Sequence, residues 1–447
     1  MPTKRKRHLS KAGTVTRSHG HRFWRDQSGG VAMMYAITLP GLIGLAGLGV
    51  ETGYWYFDKR ELQTEADAAA LGGAWELAWN RTSHVKPSAT NEAVRNGFPN
   101  SALTTIAVND PPTSGALAGN NKAVEVILTQ DYDPLFSGIF RTDNITIAAR
   151  AVASLTQSGQ ACILALNGTV SDAAENTGNT TINAPDCTIA ANSTAEDAIS
   201  FSGNSDITFE GAWTTGGVET GSSTNVTLTD GARTHMWPID DPYADLDDTA
   251  PGGCMPNINI HHSGTTTVTN SGARTVCGDI HVTNGETVDF QPGTYWMKGS
   301  SLTAEGGTIT CSTCELGGEG VTFIFTTPSN GNVNQIGTVT INGNATVQLN
   351  APGSGDYKGV LFFQDPDTPT ATNKTANLNG GADTILNGAI YFPNNEVQWA
   401  GNNTLAATCT LIVADTITFS GNAGLSISDC ASQGVDVAFT VKVALVE

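Results

Sequence analysis

With 447 residues, 50 glycines and a net charge of −20, the chain has room for two or three domains and a sizeable core. Its charge is divided: Lys4, Arg5, Lys6, Arg7, Lys11, Arg17, Arg22 and Arg25 face Asp26 alone in residues 1–26, a net of +7, which leaves −27 on the remainder. So acidic a body repels nucleic acid, which is excluded as a partner, and the basic head reads as a membrane-topology signal.

After the basic tail (1–26), Gln27 through Val50 is a run of 24 uncharged residues closed by Asp26 and Glu51. About 20 apolar residues cross a bilayer as a helix. A secretory signal core is shorter and precedes a small-residue cleavage site, which is missing here, so a retained anchor is expected. Positive-inside orientation keeps the head in the cytoplasm and exports everything beyond Glu51. Pro40 removes a backbone donor in mid-span and is expected to bend the helix. Gly41, Gly44, Gly47 and Gly49 make a small-residue strip, which either admits a neighbouring helix or reflects how common glycine is in membrane helices.

Tyr54, Trp55 and Tyr56 follow where an interfacial aromatic belt belongs. Leu62, Ala66, Ala69, Gly73 and Leu77 then recur at helical spacing, with Glu61, Glu65 and Glu76 off that stripe, so an amphipathic helix is expected to continue to residue 79. Residues 80–155 open in polar, helix-poor sequence. They then offer two strand-like runs, AVEVILTQDY (123–132) and NITIAARAVASL (144–155), which suit a small α/β segment.

From 156 to 447 one phrase returns: a short run of alternating apolar and Thr/Ser residues, then Gly-Asn or Gly-Gly. Its glycines are Gly203, Gly285, Gly306, Gly343, Gly380, Gly401 and Gly421. Several intervals are close to twenty residues, the spacing of one solenoid coil. The chain is therefore expected to be mainly β, with one N-terminal transmembrane helix and a C-terminal parallel β-helix; a β-sandwich or jelly roll is the alternative. Corner asparagines and threonines are expected to form hydrogen-bonded ladders. All eight cysteines follow the apolar run, as befits oxidised pairs in an exported region. Cys162 with Cys187, Cys254 with Cys277 and Cys409 with Cys430 stand about one coil apart, a spacing that would place each pair on neighbouring rungs. Cys311 with Cys314 suits a short local bridge. The eight leave many other connectivities open.

Little here suggests chemistry. Asp240, Asp241, Asp245, Asp247 and Asp248 crowd one segment and read as a calcium-binding or a solvated acidic loop, without the spacing of a known calcium motif. Asp365, Asp367 and Asp383 with Lys374 imitate a polysaccharide-lyase carboxylate set, and His261-His262 reads as polar surface. No catalytic, cofactor or metal site is expected, and the chain is expected not to be an enzyme.

The run FWRDQSGGVAMMYAITLPGLIGLAGLGVETGYWYFDKRELQTEADAAALGGA resembles the N-terminal segment of TadG-like proteins of the Flp (tight adherence, Tad) pilus assembly system. Gly29, Ala32, Ala36, Pro40, Gly53, Trp55, Leu62, Gln63, Asp67, Ala68, Ala69, Ala70, Leu71, Gly73 and Ala74 stand at the family's positions. PGTY, GVLFFQD and GAIYFP further on are similar to phrases of its Gly-rich region. Flp-type prepilins carry Glu-Tyr early in the mature helix, whereas Met34 precedes Tyr35 here, so the resemblance implies an anchored accessory rather than a polymerising pilin. It implies a bacterial inner-membrane, single-pass protein whose bulk is periplasmic or extracellular. The implied partners are other Tad or pilin-like helices, with a glycan or a host or abiotic surface for the β-rich part. The runner-up is a membrane-tethered β-helical polysaccharide-binding protein or lyase.

Overall fold

The computed structural model describes residues 30–79, 81–99, 101–246, 249–255, 258, 264–269, 274–328, 332–368, 374–379, 384–401, 404–406, 409–422, 424–427, 430, 435 and 438–447. The basic tail, Gly29, Asp247, Asp248, His261, His262, Gly380 and Asp383 lie outside them. The chain divides into two compact units, residues 1–155 with 443–447, and residues 156–442.

In the first unit, helix α1 (Gly30–Ala78) runs 49 residues, about 74 Å at 1.5 Å per residue, and continues through Pro40. A second helix, α2 (Thr82–Arg95), occupies sequence that composition had marked as helix-poor. Its polar residues hide the signal, which is Val85, Ala89 and Ala93 recurring every fourth position and fully buried against α1. Strands β1 (Thr104–Asn109), β2 (Ala123–Tyr132) and β3 (Ile145–Ala165) follow, and β2 pairs antiparallel with both β1 and β3. Val124, Val126 and Leu128 alternate along β2 onto the helices, as a half-buried strand requires. Residues 443–447 join this sheet, where the Val152 N–H donates to the Glu447 carbonyl and the Val446 N–H donates to the Val152 carbonyl.

In the second unit the described strands from Ala174 to Ser426 pair in parallel, which a sandwich of antiparallel sheets does not produce. The strands fall in three rows. One contains Ile280–Thr283, Leu302–Glu305, Val339–Ile341, Ala376–Leu378, Val397–Trp399 and Ile417–Phe419, then Ala174–Asn176, Ile199–Phe201 and Val218–Thr220. The order of that row is informative. The strand latest in sequence, Ile417–Phe419, pairs with the earliest, Ala174–Asn176. A second row repeats this, because Thr410–Ala414 pairs with the 163–165 portion of β3. The unit therefore begins in the middle of the stack, builds to one end at Ala232–Arg233, restarts at the opposite end near Gly264, and builds back to the middle.

A strap crosses the stack between those ends. The Trp213 indole donates to the Trp237 carbonyl at 3.0 Å, and Asn192 exchanges two hydrogen bonds with the Ile239 backbone. Further along, the Tyr391 hydroxyl donates to Asp241 at 2.7 Å and its ring meets Tyr243 edge-on. The Thr275 hydroxyl donates to the Pro251 carbonyl. This explains the composition of the row beneath. VTFIFT (321–326), VLFFQ (360–364) and TLIVA (410–414) are buried at every position, because one face fills the stack and the other lies under the strap. In the row that contains Ile280–Thr283, IHVT (280–283) buries Ile280 and Val282 and exposes His281.

The acidic segment expected as a solvated or calcium-binding loop is thus part of the strap. Tyr243 is fully buried, and Met236, Ile239 and Leu246 pack on the core between the carboxylates. Burial pushes the Asp241 carboxyl above its usual range, partly offset by hydrogen bonds from the Tyr243 N–H and the Tyr391 hydroxyl. Among the described residues no group of three or more His, Cys, Asp or Glu could hold a metal ion.

Four disulfides close, Cys162–Cys187, Cys254–Cys277, Cys311–Cys314 and Cys409–Cys430, with Cα separations of 5.5, 5.7, 5.3 and 4.7 Å. One differs in setting from the expectation. Cys254 is on the strap rather than a rung, so its bridge ties the strap to the end strand Arg274–Val276. At the corners, Asn422, Asn179 and Asn204 form the expected ladder, with side-chain amides 3.3 and 3.4 Å apart.

Candidate membrane anchor and its seat

Helix α1 has two halves of opposite character. From Val31 to Val50 most of its large side chains face outward, and an 18-residue window of the helix has a mean hydropathy of 1.8 with 6% of it buried. The helix is thus long and apolar enough to cross a membrane. From Glu51 onward it packs: Leu62, Ala66, Ala69, Ala70 and Ala74 are buried against α2, β2 and β3.

Small residues set how closely the helix approaches. A methyl group on Gly73 would fall 3.1 Å from the Val124 side chain and 3.3 Å from Ala89, so a larger residue would push α1 off both neighbours. Gln63 joins helix to sheet: its amide donates to the Arg150 carbonyl at 2.9 Å and to the Asp67 carboxylate at 2.8 Å. Helix propensity explains neither polar residue; bridging a helix to a strand carbonyl explains both.

The seat contains buried acids. Burial, with the nearby Glu61 charge, pushes Glu65 up to about 7. Burial also raises Asp58, against the hydroxyls of Tyr132 and Tyr54, whose rings meet edge-on at 6.2 Å. Glu125 goes the other way. Burial would raise it, but Thr113, Ser114 and Asn109 donate to it and hold it well below the usual carboxylate range, and Arg150 completes an ion pair at 2.7 Å.

Of the glycines in the apolar half, Gly41, Gly44 and Gly49 have open space where a side chain would be. Gly47 does not, since a methyl group there would meet the Phe136 ring at 2.5 Å. Tyr35 and Gly53 are exposed on the helix surface. Glu51 closes the apolar half. Its carboxylate accepts the backbone N–H groups of Leu135 and Ser137 and the Ser137 hydroxyl, all within 2.8 Å, and these bonds pin residues 135–137 to the helix. Sequence reasoning missed that contact, because nothing local in PLFSGIF points to a partner 86 residues upstream.

Of the lyase-like set, Asp383 lies outside the described residues. Asp365 is buried, taking hydrogen bonds from Thr326 and the Asp367 N–H to close a turn. No curated protein and no solved structure matches the chain. The family model Tad, described as Flp pilus-assembly TadE/G-like, matches residues 29–76. The match covers the apolar half of α1 and most of its packed half, and this stretch of the chain is a TadE/G-like Flp pilus-assembly segment.

Proposed function

We propose that the protein is a bitopic structural component of a Tad/Flp pilus assembly, held in the bacterial inner membrane by α1 with its basic tail in the cytoplasm. The second unit is then an exported parallel β-helix that scaffolds, anchors or adheres rather than catalyses. The observation that carries this reading is the split of α1: an outward-facing apolar half continues directly into a packed half, both inside the TadE/G-like match. Four disulfides fit an oxidising compartment beyond the membrane. The +7 head supports the orientation. Partner helices would approach the open strip at Gly41 and Gly44. Clean deletion of the coding sequence should abolish piliation and surface attachment, with rescue by the intact chain. Normal piliation and attachment after deletion overturn the reading.

A second reading has the β-rich unit hold a polysaccharide or another surface. A polar groove of about 640 Å³ lined by Asn284, Glu305, Asn342 and Asn344 favours it, offering amide and carboxylate groups suited to sugar hydroxyls. Binding of the full chain to a glycan array, lost in Asn342→Ala, tests it; an array without signal removes it.

A further inference from the structure

We propose that the 133–144 loop is a second membrane contact, a monotopic foot whose Leu135, Ile139 and Phe140 enter the lipid beside α1. The inference rests on the reading of α1 as a membrane-spanning helix.

The loop joins β2 to β3, which pair directly from Tyr132 to Ile145, so twelve residues do what two to five ordinarily do in a hairpin. Most of the excess is apolar and outward-facing. Leu135 is 67% exposed, Ile139 77% and Phe140 79%, in the turn around the 3-10 helix Ser137–Ile139. Four large hydrophobics within six residues, pointing at water, need a cover.

Two contacts identify lipid as that cover. The Phe136 ring lies on Gly47, four residues inside the end of the uncharged run, so the loop reaches the depth of the span itself. Ile43, one helical turn before Gly47, is itself exposed. Glu51 permits this placement: a carboxylate at the edge of the hydrocarbon is costly, and its oxygens are occupied by the loop's N–H groups and Ser137. The flanks are polar, with Asp133 before and exposed Arg141 and Asp143 after, as at a chain leaving an interface. Tyr54, Tyr56 and Phe57 are exposed on α1 in the two turns after Glu51, where an interfacial aromatic belt belongs.

The test places a photoreactive benzoylphenylalanine at Ile139, Phe140, Ile43 or Asn121 of the full chain in phospholipid nanodiscs, and reads adducts by mass spectrometry. Asn121 is exposed at the far end of β2, about 33 Å along the strand. The expected result is lipid adducts at positions 43, 139 and 140 and none at 121. Adducts at 43 without adducts at 139 and 140, whether the latter capture protein or solvent, overturn the foot and leave the spanning helix intact. No lipid adduct at 43 overturns the spanning reading as well.

Discussion

Gly178 lies directly on Gly421, 243 residues away in sequence: a methyl group on Gly178 would fall 2.7 Å from the Gly421 carbonyl oxygen, to which the Asn179 N–H donates at 2.7 Å. This is the seam where the late strands of the second unit pair with its first. Gly178 also has φ +93°, a region L side chains rarely adopt. Gly178→Ala therefore combines backbone strain with a clash and should cost about 2 kcal/mol or more. Gly231→Ala is the comparison, since φ +78° is strained there but the space is open, and it should cost about 1 kcal/mol. Chemical denaturation of both variants checks the order.

Gly73→Leu should separate α1 from its seat. The new side chain meets Val124 and Ala89, neither able to yield within a packed core, and overpacking of this kind costs about 1–3 kcal/mol. Limited proteolysis in detergent should cut the α1–α2 connection faster than in the parent chain. Gln63→Leu keeps the volume but leaves the Arg150 carbonyl without that donor, at about 1–2 kcal/mol.

Glu65 gives the first unit an acid-favouring term. Its folded value is near 7 against an ordinary 4.5, so the folded state holds the proton more tightly. The stability this contributes is complete below about pH 4.5 and is lost as pH rises through 7, by no more than about 3 kcal/mol. Glu65→Gln should flatten the pH dependence of the melting temperature between 5 and 8; an unchanged slope refutes the assignment.

Cys254→Ser with Cys277→Ser should loosen the strap. The bridge closes a 23-residue separation, worth about 3 kcal/mol by loop entropy. Hydrogen exchange should rise over residues 234–255 first, and less in the rungs beneath.

Much of this was legible in the sequence, for local reasons. Apolar continuity marks α1, alternation marks β2 at 123–132, and Gly-Asn corners mark the turns between strands of the second unit. Helix α2 escaped because three small buried residues carry its packing amid polar ones, and β1 because TTIAVN is short. The strap escaped because Asp240, Asp241 and Asp245 drew attention to charge, whereas Ile239, Tyr243 and Leu246 between them do the packing. The order in which the strands stack could not be read at all. Corners such as Gly178-Asn179 and Gly421-Asn422 are chemically interchangeable, so no local signal says which stacks on which.

Because the strap joins the two extremes of the stack, it acts as a gauge on their separation. Each further rung would lengthen the stack by about 4.8 Å and demand about one and a half more residues of extended strap. Strands cannot be gained or lost at either extreme without a matching change between Arg233 and Gly264, so the reach of this β-structure is set by a segment whose described residues contribute no strand to it.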